Sequence, residues 1–94
     1  MRHYELMYIT RPDLDEEALT GVLERFSELI AKSGGEVKNI DKWGKRRLSY
    51  EISDFREGHY VVVDFLGEPA VANEVSRVMK ITDQILRHLI VSKE

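Results

Sequence analysis

Apolar periodicity changes along this chain in a fixed succession, from a step of two to a step of three or four and back, once in each half. Arg2 to Thr10 sets Tyr4, Leu6 and Tyr8 in one alternating register and Met7 and Ile9 in the other, as expected of a central strand touched on both faces. Arg11-Pro12 closes it. Asp13 is placed to cap a helix, with Glu16 three positions on as its capping-box partner. Ala18, Leu19, Val22, Leu23, Phe26, Leu29 and Ile30 then form one apolar stripe, which Gly34-Gly35 ends because glycine accepts the left-handed conformation of a helix terminus.

Val37 and Ile40 open a second extended segment, and Leu48, Tyr50 and Ile52 close it with the opposite parity. An irregularity at Gly44 would restore the phase, as a bulge does. Asp54 to Gly58 has turn composition, and His59 to Leu66 is a strand rich in β-branched residues. Pro69 suits the first turn of a second helix, striped by Val71, Val75, Val78 and Met79 and ended near Thr82-Asp83. Ile85, Leu86, Leu89, Ile90 and Val91 make a last strand, interrupted by Arg87-His88. The order β-α-β-β-α-β, with right-handed crossovers, predicts the ferredoxin-like split arrangement. That fold is α+β, a four-stranded antiparallel sheet with both helices on one face. Its first and third strands are central and its second and fourth lie at the edges. Ninety-four residues, 43% hydrophobic, suffice for a single domain over 1–94.

The chain has no cysteine, which rules out disulfides and thiolate metal sites and fits a reducing cytosol. No stretch approaches the roughly 20 apolar residues of a membrane span, so a soluble, unprocessed, cytoplasmic protein is expected. His3, His59 and His88 stand singly on three strands, a spacing that points away from a metal site. The carboxylates of the first helix fall on its wet side with no nucleophile beside a base, so neither an enzyme nor a cofactor is expected.

Net charge is -3, yet it is unevenly spread. Between Asp13 and Lys32 six acids face two bases; between Lys38 and Arg47, Lys38, Lys42, Lys45, Arg46 and Arg47 face Asp41 alone. The second strand is therefore a basic edge. Guanidinium forks bind phosphate oxygens in two places at once, which makes Lys45, Arg46 and Arg47 candidate RNA contacts; the competing role is a charged edge that resists aggregation. Strand alternation sends Arg46 to one side and the Lys45/Arg47 pair to the other, so that one side would meet RNA and the other a protein. Arg2 and Arg87, on adjacent strands, could form a second basic spot; the competing reading is two scattered surface arginines. Trp43 beside the basic run is expected to fill a partner's pocket, with Lys42 and Tyr50 in the same surface. Tyr4, Tyr50 and Tyr60 could form a base-stacking platform, but the aromatic-glycine run of an RNA-recognition motif is missing from the third strand, which favours core packing.

Gly44-Lys45-Arg46-Arg47-Leu48-Ser49-Tyr50-Glu51-Ile52, together with Met1-Arg2-His3-Tyr4-Glu5, Ile9 and Pro12, and Asp83 with Ile85-Leu86-Arg87-His88-Leu89, resembles the bacterial small-ribosomal-subunit protein six family. The likeness runs end to end. Ser49 departs from the family's commoner alanine, and the extended or acidic tail of many members does not follow Glu94 in this sequence. The resemblance implies a non-catalytic component of the small ribosomal subunit. It also implies binding to the central domain of small-subunit ribosomal RNA as a heterodimer with small-subunit protein eighteen, with no membrane or small-molecule partner. An acidic chain of this kind is expected to bind RNA weakly alone and tightly with a basic companion. The alternative from another class is a ferredoxin-like regulatory or ligand-binding domain that self-associates through its sheet.

Overall fold

The computed structural model describes residues 1–93. Its elements are β1 (Arg2–Thr10), α1 (Glu16–Lys32), β2 (Glu36–Ile52), β3 (Phe55–Gly67), α2 (Pro69–Lys80) and β4 (Ile85–Ser92). All strand pairs are antiparallel and the sheet order is β2-β3-β1-β4, so β1 and β3 are central as expected for the ferredoxin-like split fold.

Alternation explains the layering. Tyr4, Leu6 and Tyr8 of β1 pair with Phe65, Val63 and Val61 of β3, and all six are buried. Val22, Leu23, Phe26 and Ile30 of α1 and Val71, Val75 and Met79 of α2 complete the same core. Tyr4 stacks on Phe65 at 5.4 Å between ring centres. At roughly 1.5–3 kcal/mol for each large side chain buried, this one-sided core is the main source of stability.

Three boundaries differ from the sequence expectation. The helix cap is Asp15, whose carboxylate accepts the Ala18 amide at 2.8 Å, while Asp13 pairs with Arg11 at 3.0 Å. Both aspartates have capping chemistry; the helix starts at Glu16, which leaves Asp13 too early in the chain to cap it. The hairpin turn is tighter than Asp54–Gly58: Ser53 (φ 51°) and Asp54 (φ 69°) reverse the chain alone, and β3 begins at Phe55. Finally, Arg87 and His88 lie inside β4, and the irregularity in its pairing with β1 comes just before them, between Ile85 and Arg87. The expected irregularity at Gly44 is present, with a register shift between Lys42 and Gly44 and φ +85° at the glycine.

The β2–β3 hairpin is longer than β1, whose pairing with β3 stops at Thr10 opposite His59. Beyond that point the hairpin continues as an arm. Gly58 lets it pass close over the end of β1, since a Cβ there would meet Ile9 Cγ2 and come within 2.7 Å of the Thr10 carbonyl oxygen.

Candidate nucleic-acid interface

Register sorts the candidate residues onto two surfaces. Lys42 lies opposite Val61, Lys45 opposite His59 and Arg47 opposite Glu57, the parity that faces the helices. Arg46 lies opposite Gly58, the parity of the helix-free face. The division of Arg46 from Lys45 and Arg47 expected from alternation is thus present, and the bulge at Trp43-Gly44 moves Lys42 onto the Lys45 side.

Lys42, Lys45 and Arg47 are exposed, and among the described residues none of them takes part in an ion pair. Other cations nearby are neutralised: Arg56 holds Glu51 at 3.0 Å and Lys38 approaches Glu36 at 3.9 Å. Uncompensated charge on an outer strand has its field directed into solvent, where a polyanion would arrive.

The helix-free face has a different character. Trp43, 40% exposed, stacks on Tyr60 at 6.1 Å with planes 5° apart and donates its indole N–H to Asp41 at 3.1 Å. The Arg46 guanidinium carbon lies 5.4 Å from the centre of the Trp43 ring. The arm then curls over the sheet, bringing Leu48 against Met7 and Ile9 and Tyr50 beside Leu89 around a depression of about 260 Å³. Arg87 of β4 sits over the Tyr50 ring at 5.7 Å. Tyr50 and Leu89 are among the most exposed large apolar side chains, at 57% and 58%. Core packing therefore holds for Tyr4, which is buried, and not for Tyr50.

Arg2 and Arg87 do not share a basic spot. Arg2 pairs with Gly67 at the start of β1, whereas Arg87 is opposite Ile9 at its end, roughly 23 Å along the strand at about 3.3 Å per residue. Adjacent strands supplied the expectation; their register, which sequence does not display, separates the two. Tyr60, stacked beneath Trp43, is half-buried, so core packing describes it only in part; the arm that covers it is not visible in the spacing of β3. His88 points the other way, with Nε2 at 2.9 Å from Ser76 Oγ; burial, with Lys80 nearby, lowers its pKa. Among the described residues no cluster of His, Cys, Asp or Glu could hold a metal ion, and no helix is long and apolar enough to cross a membrane.

Residues 3–92 match the family model described as Ribosomal protein S6. The chain belongs to the ribosomal protein S6 family. A small ribosomal subunit protein bS6 from Heliobacterium modesticaldum is 54% identical over 94 residues, covering 100% of this chain and 98% of that one. The bS6 protein of Moorella thermoacetica is 51% identical over 94 residues, covering 100% and 96%. In three dimensions the chain is similar to the crystal structure of 30S ribosomal protein S6 from Thermotoga maritima, with a TM-score of 0.92 and 29% identity over 98% of this chain and 87% of that one. As a ribosomal protein S6 of the small subunit, the chain has its place in the cytoplasmic ribosome and belongs to a structural, RNA-binding family rather than an enzymatic one.

Proposed function

We propose that the chain binds the central domain of small-subunit ribosomal RNA together with small-subunit protein eighteen, using the two sides of the β2 arm for the two partners. Lys42, Lys45 and Arg47 meet RNA phosphates from the helix side. Trp43, Tyr50, Arg46 and Arg87 meet the protein on the open face. The carrying observation is the contrast between the two sides: unpaired cations on one, and on the other rings and guanidinium groups stacked over exposed apolar surface. Trp, Tyr and Arg are the residue types that dominate protein interfaces, because each buries a large rigid area while keeping a polar handle. Arg2, isolated at the far end of β1, takes a separate phosphate contact. The chain acts by presenting folded surfaces, without catalysis. With a net charge of -3 it binds RNA weakly alone, and the companion's charge and area supply the missing affinity.

Titration of the heterodimer against a central-domain RNA fragment over a range of salt tests this. Lys45→Ala with Arg47→Ala lowers the slope of log affinity against log salt by roughly 0.7 to 0.9 for each phosphate that is no longer neutralised. Tyr50→Ala weakens the heterodimer and leaves that slope unchanged. An unaltered slope in the first variant removes the RNA assignment.

A further inference from the structure

A groove of about 330 Å³ opens between the start of α1 and the helix side of the arm, lined by Tyr8, Leu19, Leu23, Lys42, Lys45 and His59 among others, with one carboxylate, Glu16, at its α1 side. Its size stands at the lower end of ligand clefts, which run from roughly 300 to 1,000 Å³. Two lining residues carry polar atoms without partners. His59 Nε2 is buried and unbonded, and the Tyr8 hydroxyl has no hydrogen bond among the described residues. Burial also raises the Tyr8 pKa, so that hydroxyl keeps its proton and remains a donor. An unpaired buried polar atom such as His59 Nε2 is costly until something satisfies it.

We propose that this groove receives one unpaired nucleobase of the bound RNA, whose flanking phosphates lie against Lys42 and Lys45. The inference rests on the assignment of the helix side of the arm to RNA and adds what the cations alone do not provide, a pocket for a base. A nucleobase combines a flat apolar face with a hydrogen-bonding edge, matching Leu19 and Leu23 on one hand and His59 and Tyr8 on the other. Lys42 and Lys45 supply counter-charge where the strand enters and leaves. An apolar side chain from a protein would leave both lysines and the His59 nitrogen unmatched.

Leu19→Phe narrows the groove without touching a cation. In the heterodimer it is expected to lower affinity for the central-domain RNA fragment on the order of tenfold, within the range for excluding one base, with the salt slope unchanged. Unchanged affinity in a variant that keeps its native spectrum overturns the proposal. So does a loss accompanied by a lower slope, which would mean displaced cations, and so does a weakened heterodimer, which would give the groove to the protein. If Leu19→Phe fails to fold, the native chain is titrated with adenosine and uridine monophosphates and followed by NMR. Shifts at His59 and Leu23 that inorganic phosphate does not reproduce support the pocket; equal shifts with phosphate alone, or none, overturn it. The salt slope of the Lys45/Arg47 variant reports separately on the underlying RNA assignment, so the two failures are distinguishable.

Discussion

The guanidinium carbon of Arg87 lies 5.7 Å from the centre of the Tyr50 ring, although β4 and β2 are the two opposite edges of the sheet. Only the curl of the arm across β3 and β1 makes this contact possible. It acts as a clasp on the open face, and an exposed contact of this type is worth about 0.5–1 kcal/mol. Arg87→Ala and Tyr50→Ala are each expected to speed amide exchange between Leu48 and Ile52 while leaving the core amides of β1 protected. Exchange in the double variant should match that in either single one. Additive effects would show that the two side chains act separately.

Gly44 and Gly58 make different demands on the same arm. Gly44 has φ +85° with nothing within 4 Å of the point a methyl group would occupy, so Gly44→Ala costs backbone strain alone, about 1–2 kcal/mol. Gly58→Ala drives a methyl into Ile9 and the Thr10 carbonyl, which lifts the arm from β1 and costs more. Urea midpoints decide it: Gly58→Ala must fall below Gly44→Ala, and the reverse order would contradict the close packing of the arm.

Helix α1 should depend on one aspartate of the two before it. Asp15→Ala removes the acceptor for the Ala18 amide and is expected to cost about 1 kcal/mol of stability in denaturant unfolding. Asp13→Ala loses only an exposed pair with Arg11, with an expected effect of about 0–1 kcal/mol. A larger cost at Asp13 would return the cap to that residue.

Acid should weaken the α2–β4 contact through His88. Its folded pKa lies below the ordinary value of 6.5, first because of burial and then because of Lys80. The unfolded chain therefore binds the proton more readily. Stability is unaffected by this group above the unfolded pKa, declines as pH falls below about 6.5, and levels off once the folded pKa is passed. His88→Gln should flatten that decline between about pH 7 and 5 in unfolding experiments. An undiminished slope would place the titration elsewhere.

Much of the fold was legible from local chemistry. Pro12 and the change of apolar period mark the end of β1, Gly34 at φ +94° marks the end of α1, and Gly44 marks the bulge. The hairpin turn was misplaced because Gly58 has the composition of a turn residue, while its actual use is a close approach to β1; Ser53 and Asp54 adopt positive φ without any glycine to announce it. The site was legible along the strand and not across it. Alternation separated Arg46 from Lys45 and Arg47, whereas the distance from Arg2 to Arg87 depends on antiparallel register, and the meeting of Tyr50 with Arg87 depends on sheet curvature. Neither leaves a mark in composition or spacing.

Strand β2 runs for 17 residues along the rim of the sheet, and its outward backbone is unsatisfied by any neighbouring strand. Such a rim would ordinarily recruit further copies of itself and grow into fibres. Its lysines and arginines, and the kink at Gly44, make that self-addition unfavourable through repulsion and misfit. The charge that suits the arm to a polyanion thus also keeps newly made molecules apart in the interval before they are incorporated.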